Sequence, residues 1–273
     1  MPNALNTAAE QARDALANLA AGKLDFKIDS LMRYAPNSTL SKEAAVLVLF
    51  GVLDDEPSAS ADFQGCPECV GENLDVLLLV RADTLRSHAG QPAFPGGKID
   101  PEDYELARQQ GVPVGRIAAL REAVEETGLD PAGVEILGEL PTLPLAVSDF
   151  RVTPVLGWWA SPTRVGVVDT NESALIARVP VRDLLNPANR HTAYVKRGRI
   201  THKTPAFEVV HSSGDARVEF TVWGFTAIVL DKIFDALTWT VPWDDSVLKP
   251  APASGYAAVG GCLKARGREE KRA

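Results

Sequence analysis

The chain carries a glycine pair and, further along, a short acidic sequence: Gly96-Gly97-Lys98 and Arg121-Glu122-Ala123-Val124-Glu125-Glu126-Thr127-Gly128-Leu129. The second sequence predicts a helix with two different faces. Glu122, Glu125 and Glu126 share one narrow arc, because positions i, i+3 and i+4 are neighbours on a helix surface. The far side is mostly apolar and is expected to face a core; its residues are Leu120, Ala123, Val124 and Thr127. Gly128 is expected to end the helix.

Three carboxylates on one helix face repel each other, so stability alone does not explain the arrangement. A divalent cation would remove the repulsion, because Mg²⁺ and Mn²⁺ take carboxylate oxygens and often share them with substrate phosphates. The alternative is a solvated face, on which Arg121 and Glu125 form a simple surface ion pair. The preceding Phe94-Pro95-Gly96-Gly97 favours a site, since backbone in such a loop can approach a ligand or metal closely.

The Arg-Glu-x-x-Glu-Glu-x-Gly sequence at 121–128, together with Gly97, resembles the Nudix box, the signature of hydrolases that cleave diphosphates linked to another moiety. Two departures are visible. Asp103 stands where the family usually has Glu, and residues 104–120 separate it from Arg121, which is 17 residues where the family has seven. Residues 109–115 are interpreted as a surface loop insertion. Closing a longer loop costs little, on the order of 0.6 kcal/mol per doubling of its length.

The segment upstream of the box resembles the additional motif of coenzyme A pyrophosphatases, which often carry Asp at the position of Asp103. This resemblance implies substrate contacts from Arg81, Arg86, His88, Gly90, Gln91, Phe94 and Gly96. Arginine suits such a role because it can grip phosphate with two parallel donors. The alternative is that the two arginines form ordinary ion pairs and that the histidine is a loop hydrogen-bonder. Residues 222–227 resemble a Trp-Gly-x-Thr-Ala element near the end of the same domain, although core packing also accounts for the tryptophan.

The resemblance implies an α/β (α+β) fold, the Nudix α/β/α sandwich, in which a mixed β-sheet lies between helices and the box forms loop–helix–loop. It implies metal ligation by the three glutamates and by a glycine carbonyl, and the ligand set is Glu122, Glu125, Glu126 and Gly97. Glu122 is expected to be the base that activates water, with Glu125 as the second choice, and Arg121 to orient a carboxylate. Glu172 matches a further ligand or base of related enzymes, or it is a capping or loop carboxylate.

The composition of the 273-residue chain, with 45% hydrophobic and 23% charged residues, is that of a soluble globular protein. A net charge of −8 and a pI near 5.1 argue against a general binder of nucleic acid or of anionic membranes. No apolar run approaches the roughly 20 residues that cross a bilayer, and the N-terminus shows no secretory pattern. Three cysteines suit a reducing compartment. We therefore expect a cytoplasmic protein.

The order of patterns along the chain predicts three parts: an N-terminal helical extension at 1–42, a Nudix hydrolase domain at 43–238, and a C-terminal extension at 239–273 with a disordered end. Helical periodicity predicts helices over 1–22 and about 222–237. Apolar runs predict strands at 44–50, 75–81, 134–140 and 152–159, the last with an edge or irregularity at Pro154. The first helix is expected to cap the main domain or to form an oligomer contact, as in a homodimer.

Two further clusters allow a functional and a plain interpretation. Cys66-Pro67-Glu68-Cys69 is half of a zinc site or a redox dithiol, or a pair of loop cysteines. Residues 187–204 form the most basic local cluster, which is either a contact for an additional substrate phosphate or a solvated hairpin.

The function expected from the sequence is Mg²⁺- or Mn²⁺-dependent hydrolysis of a small nucleotide derivative. The upstream motif favours coenzyme A or acyl-coenzyme A, split into 3′,5′-ADP and (acyl-)4′-phosphopantetheine. The alternatives are hydrolysis of ADP-ribose or another nucleoside diphosphate derivative, and a non-catalytic nucleotide-sensing module.

Overall fold

The computed structural model describes residues 4–26, 42–52, 58–60, 62–68, 70–71, 73–85, 89–145, 149–213, 216–252 and 256–259. Several sequence predictions fall outside these ranges: those for Arg86, His88, Cys69 and the end of the chain. Among the described helices, none is both long enough and apolar enough to span a bilayer.

The described residues of the first half of the chain form strands and helices in the order α1 (Ala4–Ala20), β1 (Lys42–Val52), β2 (Leu74–Arg81), β3 (Pro92–Ala93), β4 (Gly96–Lys98), α2 (Pro101–Gln110), α3 (Val114–Thr127), β5 (Val134–Glu139) and β6 (Leu143–Leu145). The second half continues with β7 (Phe150–Trp159), β8 (Ser173–Pro180), α4 (Val181–Leu185), β9 (Arg190–Arg197), β10 (Ile200–Ser213), β11 (Ala216–Val222), α5 (Gly224–Ala236), β12 (Leu248–Pro250) and β13 (Tyr256–Val259). Each strand and helix predicted from apolar patterns overlaps one of these elements, and the bounds differ by at most three residues.

The central sheet is mixed, as predicted. Its strand order is β3-β2-β1-β7-β5, with β4 added to β1, β6 to β7 and β8 to β2. The long strands β1 and β7 run parallel, whereas the other pairs are antiparallel. Both faces of this sheet are covered, which explains why its strands are continuous apolar runs and not alternating ones.

Strand β1 shows how the sheet separates two cores. Side chains alternate between the faces of a strand. Ala45, Leu47 and Leu49 pack with the buried side of α3 in one cluster. Val48 and Phe50 point into a larger cluster that also holds α1, α4, α5 and the second sheet. Helix α3 is thereby fixed against one face of the sheet, and this positions its acidic side.

The second sheet has the order β12-β9-β10-β11-β13. Phe207 of β10 meets Phe234 of α5 edge-on, with ring centroids 6.3 Å apart. Trp239 stacks on Phe234 and is only 2% exposed, so core packing continues just beyond residue 238. The division of the chain into three parts stays a prediction.

The predicted loop insertion at 109–115 is wrong in its extent. Only residues 111–113 form a turn, and they join α2 to α3. Gly111 ends α2 in the left-handed conformation, with φ 66°, and Pro113 directly precedes α3. Glycine after a helix and proline at a helix start are typical boundary residues. The additional residues are therefore mainly helical. Gly111 marks the end of α2 and Pro113 the start of α3, where the sequence predicts a longer loop.

Pro154 lies in β7, which is an interior strand and not an edge. Its carbonyl accepts a hydrogen bond from the amide of Leu140 at 2.8 Å, at the interruption between β5 and β6. Proline lacks an amide donor, so an interrupted neighbouring strand suits it. Of the two outcomes predicted for Pro154, the irregularity is the one observed.

Candidate active site

The glycine pair and the acidic helix meet directly. A Cβ atom added to Gly97 would lie 2.4 Å from Cδ of Glu122 and 2.4–2.5 Å from its two carboxylate oxygens. A side chain at position 97 would displace the Glu122 carboxylate, so glycine allows that carboxylate to rest against the backbone. Burial, followed by repulsion from Glu125 and Asp100, raises the pKa of Glu122, although Arg121 opposes the rise.

Glu126 is the most buried of the three glutamates, with 7% of its surface exposed. Its Oε2 accepts a hydrogen bond from the Gly96 amide at 2.9 Å, and its Oε1 lies 3.9 Å from Arg81. Burial raises the pKa of Glu126 to about 7; Glu122 and Glu172 add to the rise, and the Gly96 amide and Arg81 oppose it. The Gly96 amide and Arg81 therefore do not fully compensate for the burial of the Glu126 carboxylate.

Arg121 joins the acidic helix to the start of α2. Its Nε and one terminal nitrogen each donate to Asp103 at 3.0 Å, which is a bidentate pair. It also donates to the Lys98 carbonyl at 3.0 Å. Burial opposes ionisation of Asp103, yet hydrogen bonds from Arg121 and from the Asp100 amide lower its pKa. Asp103 therefore still contacts Arg121, despite the ten additional residues between them. Asp103 is paired with this arginine and does not lie among the predicted metal ligands.

Glu122 and Glu125 share the remaining terminal nitrogen of Arg121, which lies 3.0 Å from a carboxylate oxygen of each. Hydrogen bonding to Asp103, and the charges of Glu122 and Glu125, raise the pKa of the guanidinium. Glu125 is 57% exposed, whereas Glu122 is 18% exposed. Arg121 thus contacts both carboxylates, and its role in orienting them for catalysis stays a prediction.

Among the described residues, positive charge is scarce at this site. The guanidinium groups of Arg81 and Arg121, and the ammonium group of Lys98 at 3.9 Å from Asp100, face six carboxylates, which belong to Asp100, Asp103, Glu122, Glu125, Glu126 and Glu172. Within the described ranges, no three His, Cys, Asp or Glu side chains form a ready-made metal site. The donors are nevertheless all oxygen, and two of them, the buried Glu126 and the partly buried Glu122, have raised pKa values. This set fits a hard divalent cation.

The upstream segment reaches the site through its backbone. The carbonyl of Gln91 accepts from the Arg81 amide at 3.1 Å, and the Gly90 amide donates to the Arg81 carbonyl at 3.0 Å. These bonds hold the residue that contacts Glu126. Phe94 is only 3% exposed and packs in the larger core cluster, so its side chain is not a surface for substrate. Its predicted contact role is corrected accordingly.

Glu172 lies in a turn beside the end of β2. Its carbonyl accepts from the Ala82 amide at 2.9 Å, and its own amide donates to the carbonyl of Asp169 at 3.1 Å. The side chain is exposed, and its charge contributes to the raised pKa of Glu126. The turn therefore brings a carboxylate from a distant part of the sequence toward the acidic helix.

The basic cluster at 187–204 does not form one surface. The hairpin of β9 and β10 carries it, and its first two members are buried: Arg190 is 4% and His191 2% exposed. Arg190 lies between the rings of Phe207 and Trp243, 4.8 and 4.4 Å from their centroids, and pairs with Asp231. Burial lowers the pKa of both Arg190 and His191. The interpretation of these two residues as phosphate contacts is wrong, because packing removes them from solvent.

One residue of the site, and one partly buried carboxylate at the opposite end of α3, escaped the sequence analysis. Asp100 precedes α2 and lies 3.7 Å from Arg121, and the Asp-Pro pair at a helix start would have indicated it. Glu139 lies against the first turn of α3: a Cβ on Gly115 would be 2.6 Å from its Oε1. Burial raises the pKa of Glu139, and the Arg116 amide opposes this. No local sequence pattern links residues 115 and 139.

Comparisons with known proteins find relatives of this chain. A family model described as NUDIX domain matches residues 65–193. A Caenorhabditis elegans protein named Nudix hydrolase 3 is 31% identical over 182 residues, which are 64% of this chain and 71% of the relative. The uncharacterized Nudix hydrolase NudL of Cronobacter sakazakii is 34% identical over 158 residues, which are 58% of this chain and 72% of the relative. A solved NUDIX hydrolase of Alicyclobacillus acidocaldarius matches 53% of this chain and 81% of its own, with 20% identity and a TM-score of 0.36.

Proposed function

The chain belongs to the Nudix hydrolase family and is a pyrophosphohydrolase of nucleotide derivatives, and from this premise we propose that it hydrolyses coenzyme A or an acyl-coenzyme A with Mg²⁺ or Mn²⁺ at the acidic face of α3. The observation that carries the placement of the site is the contact between Gly97 and Glu122. A partly buried carboxylate that rests against glycine backbone, with the carboxylates of Glu125 and Asp100 near it, is suited to bind a cation.

The excess of carboxylates supports the need for a cation. A diphosphate is itself multiply negative, and two unit charges 4 Å apart repel by about 4 kcal/mol at an effective dielectric constant near 20. The ligands would be Glu122, Glu125 and Glu126 with the carbonyl of Gly97. A bound Mg²⁺ or Mn²⁺ supplies neutralisation of the phosphate oxygens and lowers the pKa of a water molecule.

The protein residues then divide the remaining tasks. Glu122 takes a proton from the attacking water. Water oxygen bonds to phosphorus, and the anhydride P–O bond breaks. Arg121 holds the carboxylates of Glu122 and Glu125 in place. Asp103 in turn fixes Arg121 by its two hydrogen bonds.

The substrate is proposed from the upstream segment. Arg81 lies 3.9 Å from Glu126, and the backbone of Gly90 and Gln91 fixes it. A guanidinium beside the diphosphate site suits a substrate with several phosphate groups. The resemblance of residues 81–97 to the coenzyme A pyrophosphatase motif then favours cleavage into 3′,5′-ADP and 4′-phosphopantetheine.

A substrate panel tests this proposal. Coenzyme A, acetyl-coenzyme A, ADP-ribose, a dinucleoside polyphosphate and NADH are each incubated with the protein and Mg²⁺ or Mn²⁺, and kcat/KM is measured. We expect the highest value for one of the two coenzyme A compounds. A higher value for any of the other three would contradict the substrate assignment but leave the family activity intact.

Substitution of Glu125 tests the site itself. Glu125→Gln keeps the size of the side chain and should remove most turnover on every substrate of the panel. The matched control is Glu105→Gln, which changes an exposed carboxylate of α2 that pairs only with neighbours on its own helix. Normal turnover in Glu125→Gln would show that the cation is held elsewhere.

A further inference from the structure

The loop that carries the glycine pair begins at an edge strand. Strand β3 has two residues, Pro92 and Ala93, which pair with Val80 and Leu79 of β2. The Gln91 carbonyl points toward β2, because it accepts from the Arg81 amide. Successive carbonyls of a strand point to opposite sides, so the Pro92 carbonyl points away from the sheet. No strand pairs with β3 on that side within the described residues.

Helix α5 supplies the missing partner. The hydroxyl of Thr226 donates a hydrogen bond to the Pro92 carbonyl at 3.1 Å. Thr226 is 5% exposed, and 134 residues separate the two partners in the chain. Its neighbours in α5, Ala227 and Val229, are completely buried, which gives the hydroxyl a rigid base. This contact joins the last helix of the chain to the start of the site loop.

The other end of the same segment has little freedom. The Pro95 carbonyl accepts from the Leu47 amide at 2.8 Å, Gly96 pairs with Val46, and the Gly96 amide donates to Glu126 at 2.9 Å. Gly96 and Gly97 are so close to their neighbours that even a Cβ would overlap. Residues 92–97 are thus fixed on one side by β1 and α3 and on the other by Thr226.

We propose that Thr226 is a positioning residue of the hydrolase, which fixes residues 92–97 so that the backbone of Gly96 and Gly97 meets the carboxylates of Glu126 and Glu122. Its kinetic consequence rests on the proposed function, whereas its effect on the loop does not. Loss of the bond leaves a buried carbonyl without a partner, which the segment relieves by moving outward to water. Small displacements matter at a catalytic site, where misplacement by about 1 Å can cost 10²-fold in rate.

Three substitutions at one position separate the hydroxyl from the shape of the side chain. Thr226→Val removes the donor and keeps the volume. Thr226→Ser keeps the donor and removes a methyl group. Thr226→Ala removes both, and it replaces the valine variant if that protein does not fold. The matched control is Thr221→Val in β11, which deletes a hydroxyl that donates to Glu208 at 2.8 Å.

Two readouts are needed, and the first does not depend on any substrate. Hydrogen–deuterium exchange at the Gly96 amide, followed in peptides that cover residues 92–98, should become at least several-fold faster in Thr226→Val and stay near wild type in Thr226→Ser and Thr221→Val. The second readout is turnover at temperatures well below the unfolding transition. We expect kcat to fall by about tenfold in Thr226→Val, as for other groups that orient a metal ligand, with a recovery to within about twofold in Thr226→Ser.

Several results would overturn the inference. Unchanged exchange at Gly96 in Thr226→Val would show that the bond does not fix the loop. Equal impairment in Thr226→Ser would assign the effect to packing. A lower melting temperature with normal exchange and kinetics would leave Thr226 a stabilising residue only. If the wild-type protein hydrolyses none of the panel substrates, the proposed function fails, while the exchange experiment still decides the positioning role.

Discussion

Two buried clusters of charge, on opposite faces of the central sheet, are built in different ways. On the face of α3, the glutamates outnumber the guanidinium groups, and burial raises the pKa of Glu126 to about 7. On the other face, Arg190 has no exposed side-chain surface, is enclosed by two aromatic rings, and meets a single carboxylate from α5, that of Asp231. The first cluster has surplus charge beside an open surface. The second has nearly balanced charge and no access.

This difference separates a site for a ligand from a structural ion pair. A cluster that needs an additional cation to be stable is prepared to bind one, whereas a paired and enclosed arginine only links β9 to α5. Local sequence favoured both regions, because each is rich in one kind of charge. The two regions differ in solvent accessibility and in the balance of positive and negative charge, and the fold determines both properties.

Removing one of the surplus negative charges should have the largest effect of all the substitutions. It should lower the activity and raise the stability. Glu126→Gln should lower kcat by about 10³-fold because a ligand is lost. It should also raise the free energy of unfolding at pH 8, by on the order of 2 kcal/mol, because a buried uncompensated carboxylate disappears. Thermal unfolding at several pH values, without divalent metal, measures the second effect.

The sign of that pH dependence follows from the raised pKa. The contribution of the Glu126 carboxyl to stability is complete below its ordinary pKa of 4.5 and is lost as the pH rises through about 7. The advantage of Glu126→Gln should therefore be present at pH 8 and absent at pH 4. A variant less stable than wild type at pH 8 would contradict the assignment of surplus charge to this cluster.

Displacing a carboxylate without removing it should have the next largest effect. In Gly97→Ala the new methyl group overlaps the Glu122 carboxylate, so we expect kcat to fall by about 10²-fold. Gly111→Ala is the control: it has the left-handed φ of 66° and open space around it. It should cost about 1 kcal/mol of stability and leave kcat unchanged. Equal kcat values in Gly97→Ala and Gly111→Ala would contradict a functional role for the contact between the Glu122 carboxylate and the backbone of Gly97.

The structural cluster should affect stability alone. Arg190→Ala leaves Asp231 without its arginine partner and removes the contact with both rings, so the free energy of unfolding should fall by about 3 kcal/mol. At temperatures below the transition, kcat and KM should stay within about twofold of wild type. Lys196→Ala, an exposed position of the same hairpin, should change neither property measurably. A large rise in KM for Arg190→Ala would instead indicate that the cluster around Arg190 contacts the substrate.

The acidic face of α3 could be predicted because its information is local. Spacings of three and four residues place Glu122, Glu125 and Glu126 together on any helix. The pairing of Arg121 with Asp103 could not be predicted, because 17 residues intervene and the sequence predicts a loop for residues 109–115 among them. Their observed form, two helices joined by a short turn, brings Asp103 back to within 3.0 Å of Arg121. Boundary residues were visible in the sequence, but whether Gly111 ended a helix or opened a loop depended on packing.

The sequence by itself determined four strands of the central sheet, the acidic helix and the glycine pair, because each is encoded by neighbours along the chain: continuous apolar runs, helical spacing and adjacent glycines. Only the tertiary structure decided that Phe94 belongs to the core, that Arg190 is enclosed, and that Thr226 reaches Pro92. Those outcomes depend on which distant surfaces exclude water from one another. Burial then sets the pKa of Glu126 and the value of each hydrogen bond, and burial is a property of the folded chain.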